Sequence, residues 1–184
     1  MNYLMLVNKD NPLEESFIPN TLINVSSKYK DNIKLDKLCY ENFLLMKKEA
    51  EKYNYNIDIM SGYRTYTYQE KIYNKLIKEK GLNYAISRIA KPGYSEHQTG
   101  LAIDICIYRD NKCYIEYDIE SFEETKWIHQ NCYKYGFILR YPLDKEDITK
   151  YSYEPWHLRY VGNISKYIYN NDITLEEYLE KNNK

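Results

Sequence analysis

The stretch LAIDICIY at residues 101–108 constrains this chain more than any other. Leu101, Ile103, Ile105 and Ile107 alternate as the buried face of a β-strand does. Asp104 falls on the opposite face, beside Gly100 and Ala102, the smallest side chains available. A carboxylate among small neighbours leaves room for something else. The preceding loop, KPGYSEHQTG, carries His97, one of three histidines in the chain.

The surrounding pattern is that of an α+β domain. Residues 32–54 read as a helix, with Leu35, Leu38, Cys39, Phe43, Met46 and Ala50 recurring at three- and four-residue steps. Ile57 and Ile59 mark a short strand that turns at Gly62, and a helix over 66–80 stops at Gly81. Residues 88–100, with Pro92, Gly93 and Gly100, are expected to be largely loop. The strand 101–108 is followed by a turn at RDNK and a return strand, CYIEYDI. Ser121 and Glu124 have capping-box spacing for a helix ending at Gly136, and Thr174 with Glu177 repeats it near the C-terminus. FILRY and WHLRYVG read as two more strands. Helices and strands do not alternate as parallel βαβ units require. We expect one domain over 1–184: a small, mostly antiparallel sheet flanked by helices.

Composition excludes several classes. A formal net charge of −1 gives no basic field for nucleic acid. The apolar run YLMLV is too short for a membrane span or a signal-peptide core. The chain is therefore expected in the cytoplasm unless an export segment lies upstream, which would place it in the cell envelope. Four cysteines lack any CxxC pattern, so a structural zinc knuckle is not expected. Cys106 and Cys113 would face each other across a two-residue turn at Arg109-Asp110, as two buried thiols in preference to a disulfide. The 23 tyrosines suit core and cleft walls, although biased genome composition accounts for them equally well.

The second histidine of interest lies in YEPWHLRYVG, three residues after Glu154. Catalytic zinc commonly takes three ligands from His and Asp/Glu, and His97, Asp104 and His157 supply such a set. Glu154 is then a candidate general base. Each residue also has a plainer reading. Asp104 could be a buried carboxylate satisfied by backbone amides, and Glu154 a solvated loop residue. Strict strand alternation would place Glu154 and His157 on opposite faces unless Pro155 introduces a bulge or turn. His129, mid-helix, is read as a structural histidine.

SEHQTGLAIDI and EPWHLRYVG together resemble the two signature segments of the VanY-like D-alanyl-D-alanine carboxypeptidases, zinc peptidases of the bacterial cell wall. LVNKDNPL, SGYRTYTYQ, YGFILRYP and TLEEYL resemble further family segments in the same order, so the resemblance covers nearly the whole chain. It implies a D-Ala-D-Ala carboxypeptidase/hedgehog-like fold with a cleft on the sheet. It also implies one Zn2+ held by His97, Asp104 and His157, with Glu154 as catalytic base. Arg64 is implied as the clamp on the substrate's terminal carboxylate, a role that suits a planar guanidinium. Gln69 and Ser95 match positions lining the substrate pocket, and Trp156 is expected to wall the site.

The activity implied is removal of the C-terminal D-alanine from a peptidoglycan stem peptide by a monomer, with D-Ala-D-Ala cleavage favoured. The alternatives are an L,D-carboxypeptidase on tetrapeptide stems, a D-Ala-D-Ala dipeptidase, and a wall-binding module without catalysis. Glu154 argues against the last, which needs no base. Ser27 and Lys30 have the spacing of a serine-type nucleophile pair but lack its companion motifs.

Overall fold

The computed structural model describes residues 2–182. In chain order its elements are β1 (Leu22–Val25), β2 (Ile33–Asp36), α1 (Lys37–Glu51), β3 (Ile57–Ser61), α2 (Tyr66–Lys80) and α3 (Leu82–Arg88). After a 3-10 turn at Glu96–Thr99 come β4 (Ala102–Arg109), β5 (Lys112–Ile115), α4 (Glu123–Asn131), β6 (Phe137–Leu139) and α5 (Glu146–Thr149). β7 (His157–Tyr160), α6 (Ser165–Asn170) and α7 (Leu175–Asn182) complete the order.

A five-stranded antiparallel sheet runs β3-β4-β7-β6, with β5 pairing β4 beyond the end of β7. β4 is its centre, because it alone is long enough to pair three strands. Ile103, Ile105 and Ile107 point to one face, where Ile57, Ile59, Leu158 and Phe137 join them. Cys39, Phe43, Met46 and Ala50 of α1 belong to the same core. Complete burial of a side chain of this size contributes about 1.5–3 kcal/mol. That face is committed to stability, so Ala102 and Asp104 face the other way.

Several sequence expectations are corrected. The helix expected from residue 32 begins at Lys37, because Asp36 caps it by accepting from the Cys39 amide at 3.1 Å. Residues 33–36 instead pair with β1 as a hairpin, so Leu35 is buried from a strand, and Leu38 faces solvent. The Ser121–Glu124 capping box does not form. Phe122 is the N-cap residue, and Glu124 accepts two hydrogen bonds from Arg109, at 2.9 and 2.7 Å. A bidentate, charge-assisted pair outcompetes a neutral cap. The Thr174–Glu177 box does form, with reciprocal bonds of 2.8 and 3.2 Å. The tail of that helix expectation, Asn183 and Lys184, lies outside the described residues.

The β4–β5 hairpin turns at Asp110-Asn111, both at positive φ, rather than at Arg109-Asp110. Asp and Asn tolerate this conformation where most residues do not. The shifted register sets Cys113 opposite Tyr108 and Cys106 opposite Ile115. Both cysteines are free thiols, Cys106 buried and Cys113 half-buried. The return strand ends at Ile115, since Glu116 takes φ +53 and opens a 3-10 turn over 116–119.

Two glycines bring β2 close to the functional face. A Cβ on Gly62 would lie 2.6 Å from the Lys34 carbonyl. Gly100 has φ +72, and a Cβ there would meet Leu22 at 2.6 Å. Any side chain at either position would push the first hairpin away.

Candidate metal centre and active-site cleft

The polar face of the sheet places the candidate residues by register. Asp104 on β4 is directly opposite His157 on β7 and also opposite Ser61 on β3, where a bulge at Met60 shifts the pairing. His97 arrives from the 3-10 turn that precedes β4, and the Arg64 amide ties that turn to the loop after β3 by bonding the His97 carbonyl at 3.1 Å.

Asp104 is the centre of the group. Its Oδ1 is 3.0 Å from His157 Nδ1, and its Oδ2 is 3.2 Å from His97 Nε2. Arg64 Nη2 also donates to Oδ2 at 2.7 Å. The three residues His97, Asp104 and His157 are all buried and offer ligand atoms within 4.8 Å of one another. The other nitrogen of each imidazole is occupied: His97 Nδ1 lies 2.7 Å from the Gly62 carbonyl, and His157 Nε2 lies 3.3 Å from Glu96 Oε2. Two imidazoles and a carboxylate, each with one atom turned to a common point, fit a zinc ion.

Glu154 does not lie on β7. Residues 154–157 form a turn in which the His157 amide donates to the Glu154 carbonyl at 3.1 Å. The objection from strand alternation is thereby removed, and Glu154 Oε2 approaches His157 Nδ1 to 3.5 Å.

Electrostatics divide the two carboxylates. Burial alone would raise both. At Asp104 it is outweighed by His97, by hydrogen bonds from both histidines and by Arg64, which hold the carboxyl well below its usual range. At Glu154 burial prevails, and the pKa is pushed up to about 7. Burial would lower the His157 pKa, but hydrogen bonds to Asp104 and Glu96 raise it to about 9. His97 is lowered by burial and by the Arg64 charge. One carboxylate thus stays ionised while its neighbour titrates near neutrality, the pattern expected of a ligand beside a proton-transfer group.

These residues line a cleft of about 510 Å³, and so do Arg64, Gln69, Ser95 and Trp156. Arg64 is also held by Ser61 Oγ, at 3.2 Å from Nε and 3.0 Å from Nη2. Gln69 Nε2 donates to the Ala90 carbonyl at 2.8 Å, and its buried Oε1 has no partner within the described protein. Trp156 packs edge-on against Tyr117, with centroids 4.7 Å apart, and belongs to the hydrophobic core as well as to the cleft wall. His129 lies outside the group and meets the Pro155 carbonyl at 2.9 Å.

Three residues escaped the sequence reading. Glu96, Arg140 and Arg159 are wholly buried and paired: Arg140 Nε donates to Glu96 Oε1 at 2.8 Å and Arg159 Nη1 at 2.6 Å. The signal available was an arginine at the end of one apolar strand, FILRY, and inside another, WHLRYVG.

The family model described as VanY, D-alanyl-D-alanine carboxypeptidase, matches residues 32–163. A Bacillus subtilis (strain 168) protein, YodJ, named as a carboxypeptidase, is 44% identical over 98% of this chain and 68% of its own length. The structure of the LdcB LD-carboxypeptidase superposes with a TM-score of 0.90 at 44% identity, covering 98% of this chain and 86% of that one. A variant of the D,D-pentapeptidase VanY from a VanB-type vancomycin resistance cassette, solved with Zn(II), superposes at 0.82 with 33% identity, covering 97% and 99%. Across other curated relatives the chain spans 57% to 94% of their length.

Fold and site together define a zinc-dependent metallo-carboxypeptidase. The chain belongs to the VanY family of D-alanyl-D-alanine carboxypeptidases.

Proposed function

We propose that this carboxypeptidase removes the C-terminal D-alanine from a peptidoglycan stem peptide. In this reading His97, Asp104 and His157 hold the zinc and Glu154 is the general base. The observation that carries it is the meeting of Glu154 with His157 Nδ1, at 3.5 Å, beside the ligand-competent trio. Bound zinc supplies Lewis acidity, acidifying water and polarising a carbonyl.

The protein's own groups account for proton traffic and substrate register. Glu154 takes the proton of the attacking water and passes it to the departing amine of D-alanine. A carboxyl with a pKa near 7 can do both at neutral pH. Arg64 binds the terminal carboxylate of the substrate and so sets which peptide bond lies over Glu154. The Oε1 of Gln69 accepts from a peptide N–H of the bound chain, Ser95 offers its hydroxyl, and Trp156 closes one wall against water.

Two substrates share this machinery, a pentapeptide ending in D-Ala-D-Ala and a tetrapeptide ending in one D-alanine. The named D-alanyl-D-alanine family favours the first. The likeness to LdcB, an LD-carboxypeptidase, favours the second reading. Incubating zinc-loaded protein with both peptides and weighing the products decides between them. Release of D-alanine from neither would refute the proposed function.

A further inference from the structure

Glu96 has no part in the proposed chemistry, yet it is held from three directions. Its Oε1 accepts from Arg140 Nε at 2.8 Å and from Arg159 Nη1 at 2.6 Å, and its Oε2 is 3.3 Å from His157 Nε2. The arginines are anchored in turn. Arg140 donates twice to Glu176 of α7, at 2.8 and 2.6 Å, and Arg159 donates to the Tyr3 and Met5 carbonyls at 3.2 and 2.7 Å. Two guanidinium groups balance the carboxylates of Glu96 and Glu176, so Glu96 needs no charge from His157. Burying such a cluster is costly compared with an apolar core. Its presence beside a proposed metal ligand calls for a purpose.

We propose that Glu96 is a positioning residue that fixes His157 in the tautomer protonated at Nε2, leaving the Nδ1 lone pair for the metal. The inference rests on the ligand set proposed above. With Oε1 committed to two guanidinium donors, the side chain cannot turn to offer a different atom. Oε2 is a carboxylate oxygen and can only accept, so Nε2 carries a proton. A neutral imidazole, the form that ligates a metal, has one such proton, and in that form Nδ1 is bare. That nitrogen faces Asp104 at 3.0 Å. His97 is set the opposite way round, its Nδ1 bonded to the Gly62 carbonyl at 2.7 Å and its Nε2 turned to Asp104. A carboxylate behind an imidazole also raises its basicity as a ligand.

Glu96→Gln tests this at constant volume. The two arginines would retain the amide oxygen, placing the NH2 group against Nε2. Two donors then oppose each other unless His157 moves its proton to Nδ1, the tautomer unable to ligate there. The expected result is a zinc Kd weakened ~10–100-fold in chelator competition. Long-range 15N–1H spectra of histidine-labelled, zinc-free variant near pH 10 should show His157 with Nδ1 protonated. Unchanged zinc affinity in the folded variant overturns the proposal. Should the variant not fold, the zinc-loaded natural protein decides: a protonated Nε2 on His157 supports the role, and zinc on Nε2 overturns it. His157→Ala, run in parallel, separates two failures. Full zinc occupancy there refutes the ligand set and this proposal with it, whereas loss of zinc there but not in Glu96→Gln refutes the positioning role alone.

Discussion

Asp104 and His157 stand directly opposite each other on adjacent antiparallel strands, with Oδ1 and Nδ1 3.0 Å apart. The pairing register of the sheet therefore sets the separation of two of the proposed zinc ligands. A one-residue slip of β7 would turn Leu158 into the cleft and His157 into the core.

That relationship predicts the consequence of losing one partner. The protein should bind about one zinc per chain, and His157→Ala should lose most of that affinity, since three ligands leave no spare protein donor. Metal analysis after dialysis against a weak chelator measures it. Full occupancy in the variant would falsify the assignment.

Zinc affinity should rise with pH. In the metal-free protein His157 is protonated up to about pH 9, while Asp104 is ionised and His97 is lowered. Binding must then release the proton of His157 at any pH below that value. Apparent affinity should gain roughly tenfold per pH unit, about 1.4 kcal/mol, and level off near the His157 pKa. Chelator competition between pH 6 and 8 tests the slope. A flat profile would show that His157 is neutral before the metal arrives.

Glu154→Gln should keep the fold and the zinc and lose turnover by ~10²–10⁴-fold, the usual cost of removing a general base. Gln retains the volume and the hydrogen bonding but cannot carry the proton from water to amine. Near-normal kcat with unchanged zinc content would reduce Glu154 to a loop residue.

The ease of reading these residues differs for physical reasons. His97, Asp104 and His157 could be grouped because Asp104 interrupts an alternating strand and few histidines compete for the role. Glu96 could not, because its partners Arg140 and Arg159 lie 44 and 63 residues away, and nothing local distinguishes a buried glutamate from a solvated one. The same limit explains the hairpin β1–β2. Leu35 fits a helical stripe and an alternating strand equally, and only pairing with Ile23 settles which forms. The Glu154 turn was hidden for another reason: Pro155 signals a break in the strand but not its direction.

The thiols give a prediction tied to the corrected register. Cys113 is half-buried, whereas Cys39, Cys106 and Cys132 are buried with their thiol pKa raised by burial. A maleimide reagent at neutral pH should therefore label one site quickly and the other three only on unfolding. Peptide mapping identifies it, and rapid labelling of Cys106 would show that the β4–β5 hairpin opens.

Arg64 yields the prediction closest to substrate choice. Within the described protein its hydrogen bonds use Nε and Nη2, to Ser61 and Asp104, which leaves Nη1 for a ligand in the cleft. An arginine already oriented on two sides loses little entropy on meeting a third partner, and it favours a carboxylate over a neutral amide. Amidating the C-terminus of the peptide removes that charge. Leaving one partner of a desolvated charge pair unmatched costs ~2–5 kcal/mol, or roughly 30-fold to several-thousand-fold in kcat/KM. The side chain is 21% exposed, so the lower part of that range is expected. Arg64→Lys should lie between, keeping the charge but not the planar fork. Free and amidated peptides, compared by product mass with both proteins, provide the measurement. Equal cleavage of the two termini by the natural protein would assign Arg64 to holding Asp104 alone.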